Sequence, residues 1–261
     1  MKRLLLLLTI FSLSAAAQET ELNTIKADEI TCEYLENLGE GDSDHTSCFK
    51  IVFNQLKVKT FLEFGSGIWT KYFLDSSKRV LSVEFVTPGN SPDELRSYLN
   101  LFNGIANWIP VAYFSNYQGD MSWAPYRYLG SESICRAASF QSVTRRNFAN
   151  IDDSYITELN TFISNLAKAN QIDIAFVNPS GICLRGDLVQ LLFGKSPIIV
   201  AHDTNSRYSG VKNDSFGYTR VATPEDYEEI YIPTGMGTTV WISKNDKFNA
   251  ISEELKAHAN R

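Results

Sequence analysis

The chain has 261 residues, and its 24 Lys and Arg against 30 Asp and Glu give a formal net charge of −6. An acidic chain lacks the excess of cations that dominates affinity for phosphate backbones, so nucleic acid is excluded as an expected partner. The length fits one α/β domain with at most an extension, and such a chain buries enough surface to fold without a metal or a disulfide.

The first 17 residues have the pattern of a secretory signal peptide. Lys2-Arg3 is a short positive start, Leu4–Ala17 is apolar or small, and Ala15–Ala17 forms a cleavage site before Gln18. A helix over the apolar run would reach only about 21 Å, short of a hydrocarbon core of about 30 Å. We therefore expect cleavage rather than a retained anchor, and a secreted, periplasmic or secretory-lumen location with no stable membrane span.

Four cysteines, Cys32, Cys48, Cys135 and Cys183, permit two disulfides in an exported chain. Cys32 and Cys48 flank a polar segment, and a bridge between them would close a loop of about 16 residues, for roughly 3 kcal/mol. A bridge between Cys135 and Cys183 is the further expectation. The alternative is four buried thiols.

Residues 18–56 are predicted to form a helical N-terminal extension, because apolar residues recur there at helical spacing. The pattern then changes to short apolar runs that alternate with helical stretches, which predicts a Rossmann-like domain over residues 57–261. The first predicted elements are a strand at 57–63, a helix at 68–76, a strand at 79–84, a helix at 92–101 and a strand at 108–114.

Residues 116–150 show no clear period and are rich in aromatic side chains and arginine, so they are interpreted as an insertion, either a lid over a site or an ordinary surface loop. The predicted elements after it are a helix at 155–167, a strand at 172–177, a helix at 184–193, a strand at 198–201 and a hairpin over 227–243. Strands that alternate with helices predict a doubly wound, mostly parallel sheet, and the hairpin adds an antiparallel end.

The segment Phe61-Leu-Glu-Phe-Gly-Ser-Gly67 resembles the first motif of class I S-adenosylmethionine (SAM)-dependent methyltransferases. The resemblance implies that the backbone at Gly65 and Gly67 approaches SAM closely and that Glu63 lies near its methionine end. At the end of the next strand, Glu84 matches the acid that binds the ribose hydroxyls. Among the departures from the family pattern, Trp69 stands where many members have a third glycine.

Two further stretches resemble the family's fourth and fifth strands, Asp173–Asn178 and Pro197–Thr204. Asn178 takes the place of the usual acid after the fourth strand. His202 and Asp203 follow the fifth strand, where open α/β sheets bind ligands, and are the candidate catalytic residues, with His202 either a general base or a structural, hydrogen-bonded histidine. Asn178, Asp203 and Asn205 are candidate oxygen ligands for Mg²⁺, and the alternative is that these side chains only hold a loop by hydrogen bonds.

A SAM-dependent methyltransferase acting on a small-molecule or glycan acceptor is the function that this pattern favours. Nicotinamide-dinucleotide binding is the alternative at the glycine turn, but its fingerprint needs a third glycine where this chain has Thr70. Because SAM is made in the cytosol, an exported chain has a second alternative, a non-catalytic binding or interaction protein that retains the fold. A different glycan-processing enzyme on the same scaffold is the third.

Overall fold

The computed structural model describes residues 26–31, 34, 43–86, 98–114, 145–179, 185–209, 216–233 and 235–260, and the side chains of residues 43, 44, 86, 114 and 145–156 are not described. The predicted signal peptide, residues 116–144 of the predicted insertion and three of the cysteines (Cys32, Cys135 and Cys183) lie outside these ranges. Cys48 is fully buried. The predicted bridges therefore stay predictions.

Among the described residues, no helix combines the length and the apolar character needed to cross a membrane.

The described strands form one seven-stranded sheet in the order β3-β2-β1-β4-β5-β7-β6. Strands β1 to β5 run parallel, whereas β7 runs antiparallel to both of its neighbours, β5 and β6. The predicted fold class is confirmed in its architecture: a doubly wound, mostly parallel sheet with a C-terminal antiparallel pair. The strands are β1 Phe61–Phe64, β2 Val80–Val86, β3 Trp108–Phe114, β4 Ile174–Val177, β5 Ile198–His202, β6 Tyr227–Ile232 and β7 Thr238–Ser243.

Helices cover both faces of the sheet, and each face has its own apolar core. Alternation along the strands divides the cores: Phe61 and Phe176 belong to one, Leu62 and Val177 to the other. The described α-helices are α1 Ser43–Gln55, α2 Thr70–Ser76, α3 Arg145–Asn170, α4 Arg185–Leu192, α5 Asn205–Tyr208 and α6 Asn249–Ala259. Helices α1, α2 and α6 supply the first core, and α3 and α4 supply the second.

Helix α1 lies within the predicted N-terminal extension, yet it packs on the sheet. The ring of Phe49 is fully buried, with its centre 5.6 Å from that of Phe61, 4.9 Å from that of Phe73 and 5.1 Å from that of Phe176. These partners come from β1, α2 and β4. The described part of the extension is therefore integral to the first core.

Several element boundaries differ from the predicted ones. Helix α3 begins at Arg145 rather than near Tyr155, so it includes the last residues of the predicted insertion. Helix α2 begins at Thr70, two residues later than predicted, because the turn after Gly67 continues through Ile68 and Trp69. Of the predicted helix at 92–101, residues 98–101 are described, and they are helical.

Candidate functional site

The predicted site residues meet at the carboxyl edge of the sheet. Glu63 of β1 lies opposite Ser82 of β2 and Phe176 of β4, and Phe176 lies opposite Val200 of β5. Two residues farther along each chain segment, the same register brings four predicted residues into one row: Glu84 in β2, Gly65 just after β1, Asn178 just after β4 and His202 in β5. The chain order reverses between β1 and β4, in the middle of this row, and such switch points are where open α/β sheets bind ligands.

The two glycines of the turn after β1 have different structural roles. Gly65 has a φ of +90°, and a Cβ there would lie 2.7 Å from the carbonyl oxygen of Asn178 and 2.7 Å from the Cα of Pro179. A Cβ on Gly67 would meet nothing closer than the backbone nitrogen of Trp69, at 4.0 Å. Gly65 therefore lets the β1 turn pack on the β4 turn, whereas Gly67 leaves open space in which a ligand can approach the backbone.

Glu63 is held in a network of hydroxyl groups. Its side chain is 1% exposed, and its Oε1 accepts hydrogen bonds from the hydroxyl of Thr70, at 2.8 Å, and from that of Ser82. Thr70 Oγ1 in turn accepts the Gly67 N–H at 3.0 Å, and Ser82 Oγ accepts the indole N–H of Trp108 at 2.8 Å. The network fixes the carboxyl group directly beneath the glycine turn.

Burial raises the pKa of Glu63 to about 8. The hydrogen bonds from Ser82 and Thr70 oppose this shift, and the nearby carboxylate of Glu84 adds to it. Because a buried carboxyl group without a cationic partner favours its neutral form, Glu63 is mostly protonated at neutral pH.

Glu84 lies two residues before the end of β2, facing the same turn, and its Oε1 accepts a hydrogen bond from the backbone N–H of Ser66. The hydroxyl of Ser66 is buried and has no hydrogen-bond partner in the described part of the chain. A half-buried carboxylate beside an unsatisfied hydroxyl and the open space at Gly67 is an arrangement that suits the hydroxyl groups of a ribose. The residues present thus fit the nucleoside end of SAM.

The candidate catalytic residues form an ordered chain of three side chains. The carboxylate of Asp203 binds Arg185 through Oδ2, 2.7 Å from Nη1, and its Oδ1 lies 3.4 Å from Nδ1 of His202. Asp203 has a φ of +61°, which is uncommon for a residue other than glycine and turns the chain sharply at the end of β5. The imidazole of His202 is thereby placed next to a carboxylate that a buried guanidinium holds in position.

Arg185 was not among the predicted site residues. It is 3% exposed, it donates through Nε to the carbonyl oxygen of Pro179 at 3.0 Å, and its guanidinium lies 4.1 Å from the ring centre of Phe216. These contacts join the turns after β4 and β5. No local signal marks this arginine in the sequence, because its partner Asp203 lies 18 residues farther along the chain, just after β5.

The predicted Mg²⁺ ligands do not fit a metal in this arrangement. Asp203 already pairs with Arg185, and the amide oxygen of Asn205 accepts the hydroxyl of Tyr231 at 2.5 Å. The described residues contain no group of three or more His, Cys, Asp or Glu side chains that could hold a metal ion.

His45, in the first turn of α1, is a second residue that sequence reasoning missed. It is 1% exposed, and its ring centre lies 5.0 Å from that of His202, 5.1 Å from that of Trp69 and 5.6 Å from that of Phe176. Helix α1 thus reaches the carboxyl edge of the sheet. Trp69, at the position of the family's third glycine, packs its indole against this histidine.

A scan against protein-family models found no match, and neither did a search of curated proteins. Solved structures with similarity to this chain include an SAH-bound methyltransferase from Podospora anserina, PaMTH1, at 12% identity over 72% of each chain, with a TM-score of 0.38. A provisionally assigned caffeoyl-CoA O-methyltransferase from Staphylococcus aureus shows 10% identity over 77% of this chain and 82% of its own, with a TM-score of 0.42.

A methyltransferase from Geobacter sulfurreducens is similar at 12% identity over 77% of this chain and 78% of its own, with a TM-score of 0.38. At such identities neither substrate nor residue role transfers with a shared fold.

Proposed function

We propose that the chain is a SAM-dependent methyltransferase that acts on a small-molecule or glycan acceptor. The observation that carries the proposal is the placement of two acids around one glycine turn at the switch point of the sheet. Glu63 lies beneath the turn, and Glu84 faces it from β2. The open space at Gly67 gives a ligand access to the backbone between them.

In this proposal Glu84 accepts hydrogen bonds from the ribose hydroxyls, and the hydroxyl of Ser66 gains a partner there. Hydrogen bonds to a charged group contribute about 1.5–3 kcal/mol each. Gly67 lets the backbone come close to the cofactor, and Glu63 faces its methionine end. The cofactor, when bound, supplies an activated methyl group for in-line transfer.

The protein's own contribution to the reaction is alignment and proton handling. Positioning of donor and acceptor can supply roughly 7–11 kcal/mol of the barrier. In this proposal His202, which is 4% exposed, takes the proton from an acceptor hydroxyl, with the Asp203 carboxylate 3.4 Å from its Nδ1 and Arg185 holding that carboxylate in place. An acceptor that is already a nucleophile, such as a neutral amine, needs no base before transfer.

The SAM site is tested by calorimetric titration of residues 18–261 and two variants. Glu84→Ala should weaken SAM binding by at least tenfold, because it removes bonds to the ribose hydroxyls. Gly67→Val should abolish binding while the fold survives, since its side chain enters open space rather than packed protein. Unchanged affinity in both variants would remove the basis for the assignment.

We further propose that the protein acts outside the cytosol after its signal peptide is cleaved. The support is the order of charged, apolar and small residues over 1–17. N-terminal sequencing of the exported protein should start at or near Gln18. A stable product that retains Met1 in the producing cell would refute export. An exported chain that binds no SAM would favour the non-catalytic binding protein instead.

A further inference from the structure

Glu63 is a buried acid whose described hydrogen-bond donors are all neutral. The hydroxyls of Thr70 and Ser82 both donate to Oε1, and within the described part of the chain no basic side chain donates to this carboxyl group. An ionised carboxylate in such a place is costly unless a cation compensates it. In the protein without ligand, the group therefore keeps its proton.

The surroundings are nonetheless prepared for the ionised form. The hydroxyls of Thr70 and Ser82 already donate to Oε1 of Glu63. Each hydroxyl oxygen is held in place by a hydrogen bond that it accepts, from the Gly67 N–H in Thr70 and from the indole N–H of Trp108 in Ser82. The register places Ser82 and Phe176 on either side of Glu63, so the site has one polar and one aromatic flank. Such prepositioned donors stabilise a carboxylate as soon as a positive charge arrives.

We propose that binding of a cationic cofactor at the glycine turn releases a proton from Glu63, with Ser82 and Thr70 as the positioning residues that stabilise the resulting carboxylate. The inference rests on the proposed SAM function. The balance is simple: the O–H bond of the carboxylic acid breaks, its electron pair stays on the carboxylate, and the proton leaves to solvent. The charge of the bound cofactor replaces the charge of the lost proton.

This coupling predicts the pH dependence of affinity. Below the pKa of about 8, Glu63 must lose its proton on binding, so affinity should rise by up to tenfold for each unit of pH. Above that value the group is already ionised, and affinity should level off. Among the described residues, the charged group that interacts with Glu63 is Glu84, whose negative charge adds to the free-energy cost of ionising Glu63.

The test is calorimetry at pH 7 in buffers of different ionisation enthalpy, which counts the protons exchanged per SAM bound. We expect close to one proton released by the wild-type chain and close to none by Glu63→Gln. Glu228→Gln is the control, because this partly exposed carboxylate pairs with Lys256 away from the turn, and it should leave proton release unchanged. Titration with S-adenosylhomocysteine (SAH), which keeps the ammonium group of SAM but lacks its sulfonium, identifies the positive group that acts on Glu63. Proton release with both ligands would assign the ammonium, and proton release with SAM alone would assign the sulfonium.

Ser82→Ala tests the positioning role. The loss of one donor should shift the affinity–pH curve upward in pH, so that weak binding at pH 7 recovers at higher pH, which a merely structural defect would not produce. SAM binding without proton release, together with a flat affinity–pH curve in the wild-type chain, would overturn the inference and leave the proposed function intact. No SAM binding at any pH would overturn both.

Discussion

At the scale of single residues, the two glycines of the turn should respond differently to the same substitution. Gly65→Ala puts a side chain on a left-handed residue and a Cβ 2.7 Å from the carbonyl oxygen of Asn178, so it should destabilise the fold by about 1–3 kcal/mol. Gly67→Ala, the matched control, should change stability by less than about 0.5 kcal/mol. Urea unfolding of both variants measures this difference, and equal losses would contradict the geometry.

Glu63 also makes stability depend on pH. Its pKa rises from the ordinary value of 4.5 to about 8 on folding because the side chain is buried, so the folded state favours the protonated acid. The stability from this group is present below pH 4.5 and declines as pH rises toward 8, because the unfolded chain ionises first. Glu63→Gln should therefore gain stability relative to the wild-type chain over this range. If the free energy of unfolding had the same pH dependence in both proteins, the raised pKa of Glu63 would be disproved.

The ion pair between Arg185 and Asp203 offers a third comparison. Its side chains are 4% and 10% exposed, and loss of one partner from a buried pair costs about 3–5 kcal/mol, so Arg185→Gln should destabilise strongly. The pair between Arg220 and Asp187 has 34% and 30% exposure, and Arg220→Gln should cost less than about 1 kcal/mol. Thermal unfolding distinguishes the two, and a small effect at Arg185 would show that Asp203 is not held by this pair.

Sequence patterns predicted those site residues that adjoin a recognisable turn or strand end. Glu63, Gly65, Gly67 and Glu84 stand in one continuous strand–turn–helix–strand segment, so their relative placement follows from local structure. Arg185 and His45 were missed for a physical reason: no motif marks either residue, and their contacts with Asp203 and His202 form only when the sheet is assembled. The bonds of Asp203 to Arg185 and of Asn205 to Tyr231, which argue against a metal, likewise form only in the folded chain.

At the scale of elements, helix α1 should be essential to the fold. Phe49 packs against rings from β1, α2 and β4, and truncation of a fully buried aromatic side chain costs about 3–5 kcal/mol. Phe49→Ala should therefore lower the midpoint of thermal unfolding markedly. Asn54→Ala, at an exposed position of the same helix, should leave that midpoint nearly unchanged. A similar midpoint for both variants would mean that α1 is a dispensable extension.

The strands were predictable because their signal is local, whereas some helix limits were not. Short apolar runs such as Ile198–His202, which is buried at every position, identify central strands without any knowledge of their neighbours. Leu159 and Ile163 of helix α3 enter the core, and their spacing predicted its second half. Its start was placed too late because the polar residues Asp152, Asp153 and Ser154 have the composition of a helix N-cap, whereas in the structure they lie inside the helix.

At the scale of the whole molecule, the sheet brings separate parts of the chain to one edge. Parallel strands β1, β2, β4 and β5 end side by side, so acids from the first half of the chain and the His202–Asp203 pair from the second share one edge of the sheet. Strand β7 extends this edge, because Thr238 lies opposite His202 in the antiparallel pairing. The topology thus places the acids proposed to bind the methyl donor and the histidine proposed to act on the methyl acceptor in one row, as the proposed methyl transfer requires.

The central claim is that SAM binds across the glycine turn between Glu63 and Glu84. Calorimetric titration of residues 18–261 with SAM at pH 8.5, about where Glu63 has lost its proton, tests it most directly. The account predicts saturable binding of one SAM per chain, reduced at least tenfold in Glu84→Ala. A folded wild-type chain that shows no binding at millimolar SAM would contradict it.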